Sequence, residues 1–228
     1  MLRVDTRYIL GRGFLATFLL MIFAGAPTSN AFTVYNTGVD SAGAKLAPGS
    51  TDSHWQVISG PGITSPIQAV VANNQHPSGQ YFATANSMWV SWTASALGTT
   101  NTPYTYELTF DLTGYDPASA VLSGLWGVDN FGSITLNGLA PIGTGTFILS
   151  GTSFDHFNTT HEFSITGGFV DGVNSLQIQV VDTGNPSGLN VSALVGMANP
   201  VPEPTGLMLM FVGLIAIGSV YRASRADT

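Results

Sequence analysis

Residues 104–112 read YTYELTFDL. Tyr104, Tyr106, Leu108, Phe110 and Leu112 fall on one face of an extended chain, and Thr105, Glu107, Thr109 and Asp111 fall on the other. A period of two held over nine residues marks a strand with one face in a core and the other in water. The side chains suit that state, being mostly aromatic, β-branched or leucine. Wound as a helix, the same residues would spread their apolar groups around the whole circumference.

The pattern recurs on both sides of this stretch. Leu176, Ile178 and Val180 alternate with Ser175, Gln177 and Gln179; Leu189, Val191, Ala193 and Val195 alternate with Asn190 and Ser192. Shorter runs predict strands at Trp55–Ser59, Ile67–Ala72, Met88–Trp92, Ala120–Trp126, Ser133–Asn137, Thr146–Ser150 and Glu162–Thr166. Asn137-Gly138, Asp171-Gly172 and Asn185-Pro186-Ser187-Gly188 supply turns between them. Nothing in residues 32–200 keeps a helical period beyond about two turns. About ten short strands predict an all-β body, an antiparallel sandwich, with Phe32–Asp52 partly irregular.

Charge divides the chain of 228 residues into three parts. Arg3, Arg7 and Arg12 lie near the start, Arg222 and Arg225 near the end, and Lys45 alone lies between. Residues 32–200 carry ten carboxylates against that one lysine, a net of −9. Such a body has nothing with which to neutralise phosphates, which excludes nucleic acid as a partner. Cysteine is absent, so thiol catalysis, thiolate metal sites and disulfides are excluded too.

The two ends read as addresses. Three arginines, the apolar run Phe14–Ala24 and the small residues Ser29-Asn30-Ala31 form a secretory signal pattern. The run is too short to span a bilayer, which takes about 20 apolar residues. Residues 1–31 are therefore expected to be a signal peptide cut after Ala31, leaving Phe32 first. At the other end, Gly206–Tyr221 is uncharged and apolar on every face, and Arg222 and Arg225 follow. This predicts a transmembrane helix reaching about 24 Å, its arginines held at the cytoplasmic interface and the body outside. Val201-Pro202-Glu203-Pro204 stands before it, and its prolines force an extended, accessible backbone.

In that order, the Pro-Glu-Pro motif, the apolar segment and the basic tail of residues 201–228 resemble the PEP-CTERM sorting signal of exported bacterial proteins. The tail Arg222-Ala-Ser-Arg225 is looser than the family's tight arginine cluster. The resemblance implies an exosortase-type enzyme acting near Pro202-Glu203-Pro204. It also implies a precursor tethered in the inner membrane, then a product at the cell surface or outside the cell. The hosts it implies are Gram-negative species that make exopolysaccharide.

A second resemblance covers the body. SGLWGVDNFGSITLNG (residues 123–138), GFVDGVNSLQIQVVDTG (168–184) and GLNVSALVGMA (188–198) follow one another as in the galactose-binding-like jelly roll. The matching features are a strand into Asp129-Asn130, a strand ending Leu136-Asn137-Gly138, and the Gly-x-Asn-x-Leu run Gly172–Leu176. The resemblance implies a jelly-roll fold. A structural calcium ion is often carried by such domains, but no ligands follow from the pattern, and the residues themselves call for no cofactor.

Candidate chemistry is sparse. His156 and His161 are five apart, so one continuous strand would point them to opposite faces and only a loop could bring them together. No HExxH and no Gly-x-Ser-x-Gly elbow exists. Asp111, Asp116, Asp129 and Asp171 offer no preferred pair for glycoside cleavage. A non-catalytic surface or matrix module is the expectation, with exopolysaccharide binding the alternative and a glycan hydrolase behind it. Trp55, Trp89, Trp92 and Trp126 lie in apolar runs that suit a core better than a sugar platform. Asp129 and Asn130, at the mouth of a strand, are the candidate ligand-binding residues.

Overall fold

The computed structural model describes residues 30–75, 80–151, 156–201 and 211–217. Twelve strands run in chain order: β1 (Asn30–Phe32), β2 (Thr51–Ser59), β3 (Ile67–Val71), β4 (Val90–Ser91), β5 (Pro103–Asp111) and β6 (Val121–Asp129) form the first half. The second half holds β7 (Phe131–Leu136), β8 (Ile142–Gly145), β9 (Ile148–Leu149), β10 (His161–Gly167), β11 (Val173–Val181) and β12 (Gly188–Ala198). The stretch that opened the sequence reading is β5, with Tyr104, Tyr106, Leu108 and Phe110 buried. The body is all-β, and its strand pairings are antiparallel.

The strands form one curled sheet in the order β8-β10-β6-β12-β4-β3-β2-β5-β11-β7-β9, with β1 added along β12. Two places bend the chain from one half of this order to the other. Only Asn130 separates β6 from β7, although the two lie far apart in the sheet. Likewise, at the step from β8 to β9, Thr146 N donates to Glu162 O of β10 at 2.7 Å, while Ile134 N of β7 donates to Phe147 O at 2.8 Å. The halves therefore face each other across a core that includes Trp55, Tyr106, Leu108, Leu122, Trp126, Ile165, Leu176 and Ile178.

Burying a tryptophan requires a partner for its indole N–H. All four find a backbone carbonyl: Trp55 on Tyr35, Trp89 on Phe82, Trp92 on Leu97 and Trp126 on Thr146, at 2.8–3.0 Å. Trp55, Trp89 and Trp126 are in the core, so none of them offers a ring to a sugar; Trp92 is half-buried and stacks on Tyr104.

The predicted Asn-Gly turn forms between β7 and an extension at Leu139. Asn137 and Gly138 take φ of 53° and 75°, as a type I′ turn needs. Asn137 also reaches outward: its Nδ2 donates to Asn174 Oδ1 at 3.0 Å and its Oδ1 accepts from Ser175 N at 2.9 Å. Fully buried Asn174 in turn holds the β10–β11 loop through Val170 N, Val170 O and Gly172 O. The two short motifs that carried the jelly-roll resemblance thus hydrogen-bond to each other.

Two expectations are corrected. The alternation expected through Val195 reverses at Ala193, whose φ is 49°. Pairing with β6 shifts register between Ser192 and Val195, so Leu194 turns inward and Val195 is 48% exposed. The strand expected at Thr146–Ser150 is shorter, β9 at Ile148–Leu149 just after the crossing between halves, and a separate strand, β8, whose four residues are all exposed, precedes it.

Both ends of the body meet beside residues 113–120. Phe32 is 5% exposed and stacks on Phe110 with ring centres 5.3 Å apart. Tyr115 donates its hydroxyl to Ala31 O at 3.3 Å and bridges Pro200 through its backbone. Val201 N donates to Gly114 O at 2.9 Å. The clasp puts entry and exit of the body at one pole.

Candidate functional site

β6 leaves that pole at Val121 and reaches the opposite one at Asp129, about 30 Å away for nine extended residues. The distal pole is where the polar groups gather. Asp129 Oδ2 accepts from Tyr81 Oη at 2.5 Å, and Tyr81 also donates to Pro186 O at 3.1 Å. Asn130 Oδ1 accepts from both the N–H and the hydroxyl of Thr183 at 2.8 Å. A cis peptide joins Asp129 to Asn130. Asp129 is 4% and Asn130 7% exposed, so a ligand would reach them only by displacing these internal bonds.

Asp182, at the end of β11, lies close enough for its charge to act on Asp129. Its Oδ1 accepts from Gly184 N at 2.8 Å, whereas its Oδ2 and Asp129 Oδ1 are shielded without a hydrogen bond. Burial pushes the Asp129 carboxyl up to about 7, with the Asp182 charge adding and the Tyr81 bond opposing. Burial likewise raises Asp182 and, with the Asp129 charge, the Tyr81 phenol. No basic side chain among the described residues compensates them. Lys45 is the only lysine or arginine among the described residues, and its Nζ donates to Thr84 O at 2.8 Å.

The loop before β10 does what a continuous strand could not. It folds His156 back over His161, with ring centres 5.5 Å apart and planes at 68°. Phe131 closes on His156 at 6.1 Å, and His161 stands opposite Trp126 in the β10–β6 register. Both Nε2 atoms are shielded from solvent and lack a hydrogen-bond partner. Burial, then the His156 charge, lowers the His161 pKa. Among the described residues, no group of three or more His, Cys, Asp or Glu side chains converges.

A concavity of about 460 Å³ opens on the outer face of the β8-β10-β6-β12 half. Ser123, Thr144, Glu162 and Ser164 supply its polar lining, with Leu125 and Ala193 among the apolar residues. At its edge β8 lies close on β10 through Gly143 and Gly145: a Cβ at either would strike the β10 backbone at Ser164 or Glu162. Sequence reasoning missed this groove because small outward residues on three strands carry no periodic signal. It missed Tyr81 because an isolated aromatic in a loop reads as nothing in particular.

Of the sorting residues, Val201 is described and exposed; Pro202, Glu203, Pro204, Arg222 and Arg225 lie outside the described residues. The signal-cleavage bond between Ala31 and Phe32 falls inside β1, and residues 1–29 lie outside. Within Gly206–Tyr221, residues 211–217 are helical, with Phe211, Val212, Leu214, Ile215 and Ile217 exposed. Among the described residues no helix is long and apolar enough to cross a membrane.

Fold and site together define an all-β antiparallel body with a buried acidic pole and a polar outer groove. No family model matches the chain, and no curated protein matches it. Among the solved structures similar to it are two of distant sequence. One is an apo-form cyclase from Fischerella sp., at a TM-score of 0.39 and 12% identity, covering 76% of this chain and 98% of that one. The other is a GH31 alpha-xylosidase from Xanthomonas citri, at a TM-score of 0.27 and 11% identity, covering 77% of this chain and 18% of that one. Likenesses this distant bear on neither activity nor ligand.

Proposed function

We propose that this chain is an exported bacterial surface or extracellular-matrix protein, routed by residues 1–31 and processed through the Pro-Glu-Pro, apolar and arginine elements of residues 201–228. Its body, residues 32–200, is a galactose-binding-like jelly-roll sandwich that works as a non-catalytic binding or structural module. The single observation that carries this reading is the meeting of the body's two ends at one pole, where Phe32 packs on Phe110 and Tyr115 and Tyr115 bridges Pro200. Such an arrangement suits a domain hung from one tether, with the motif beginning where the fold stops at Val201. The exposed apolar side chains of residues 211–217 suit a lipid surrounding. Asp129 and Asp182 do not line the groove, which favours a binding module over a hydrolase.

The test is fractionation of an exosortase-bearing host expressing the full chain. The wild-type product should appear at the surface or in the medium with Phe32 as its first residue. Glu203→Gln should accumulate in the inner membrane. An intact protein in the cytoplasm would refute the reading.

Exopolysaccharide binding is the second reading, favoured by the three hydroxyls and one carboxylate of the outer groove. Sugar hydroxyls are fixed by such groups. A glycan array probed with the secreted protein should give hits that Ser164→Trp abolishes by filling the groove. Hits unchanged by that substitution would place sugar binding elsewhere.

A further inference from the structure

Two neutral imidazoles held together normally satisfy their ring nitrogens on carbonyls, carboxylates or water. At the distal pole the shielded Nε2 atoms of His156 and His161 have no carbonyl, carboxylate or other protein partner. Leaving such a group unpaired away from water is costly. Nor do the rings bond to each other, because both Nε2 atoms remain without a partner. With the proton of each ring on Nδ1, one electron-pair acceptor between the two rings would satisfy both Nε2 atoms at once.

We propose that His156 and His161 form a two-imidazole site for a divalent transition-metal ion of the class that favours nitrogen ligands, Cu²⁺, Ni²⁺ or Zn²⁺, with water in the remaining positions. The ring separation fits. A metal–nitrogen bond of about 2.1 Å puts each ring centre about 3.2 Å from the ion, so two rings on a tetrahedral ion stand about 5.2 Å apart. The observed separation is 5.5 Å. Steep planes, 68° here, let two imidazoles approach one ion without their carbons colliding. Ligand type sets the selectivity: imidazole suits these ions, while Ca²⁺ and Mg²⁺ demand oxygen. With only two protein ligands the ion exchanges, unlike a closed four-ligand structural site. The site is independent of the sorting reading, since it needs only the fold of β6, β10 and the loop at residues 156–160.

The structure supplies its own probe, because Trp126 is the cross-strand partner of His161. Purified full-length protein titrated with CuSO₄ or NiCl₂ at neutral pH should show saturable quenching of tryptophan fluorescence. CaCl₂ and MgCl₂ should do nothing. His156→Ala and His161→Ala should each weaken binding at least tenfold, while His54→Ala and His76→Ala leave it unchanged. Should either variant fold poorly, imidazole ¹H–¹⁵N spectra of the wild-type protein decide: ZnCl₂ should move the nitrogens of two of the four histidines and no others. Quenching that survives loss of His161, or that follows His54 or His76, overturns the proposal. So does the absence of saturable binding for all three ions.

Discussion

The hydroxyl of Tyr81 donates to Oδ2 of Asp129 across 2.5 Å, in a pocket that shields the carboxylate almost completely. Held this way, Asp129 keeps its proton up to about pH 7, whereas an unfolded aspartate loses it near pH 3.9. Between those values the folded state binds the extra proton. Its contribution to stability is therefore full below about pH 4 and fades as pH rises through 7. A difference of that size corresponds to about 4 kcal/mol. Chemical denaturation should find the protein more stable at pH 5 than at pH 8. Asp129→Asn, which keeps an acceptor for Tyr81 and removes the charge, should flatten most of that slope. A wild-type slope of opposite sign would contradict the burial of this carboxyl.

Asn174 ties together three backbone groups and one side chain at the β10–β11 corner. Asn174→Ala strands buried donors and acceptors and should cost about 2–4 kcal/mol. Hydrogen exchange should show the loss first at Val170, whose N–H it releases. If Val170 stays protected, some other group must hold the loop.

Phe32 and Tyr115 guard the same pole with different strength. Phe32→Ala removes a core ring from between Phe110 and Tyr115 and should lower stability by about 3 kcal/mol. Tyr115→Phe loses one exposed hydrogen bond and should cost under about 1 kcal/mol. Urea midpoints rank the pair, and equal losses would mean that the ring stack is not what fastens β1.

Gly143→Val places a side chain against the backbone at Ser164. β8 should lift from β10, so exchange protection along Ser164–Gly167 falls and any glycan bound in the outer groove is lost. The core beneath, led by Phe163 and Ile165, should hold the rest of the fold. Unaltered exchange at β10 would show that β8 is not packed this closely.

Much of this architecture could be read from residue order. The alternation in β5 and β11 is strict because each pairs for its full length with the other, and the Asn137-Gly138 turn has the chemistry its shape requires. In β12 Asn190 and Ser192 are buried although they alternate with apolar residues, and beyond Ser192 a single residue with positive φ swaps inside for outside and leaves no mark in hydrophobicity. The site was harder to see. Asp129 and Asn130 stood out as a strand-end pair, but their partners, Tyr81 and Thr183, are 48 and 53 positions away. The spacing of His156 and His161 allows them to meet only across a loop, and whether such a loop folds back is not written in the residues between them.

The exit of the chain from the end of β12 also has a mechanical meaning. On the proposed tethering, a load applied at the far pole and resisted beyond Ala198 would run along β12, parallel to its axis. Its ladder to β6, together with the β1 pairing, would then be strained sideways all at once instead of opening rung by rung. Rungs loaded together in shear share a pull that would otherwise fall on one at a time.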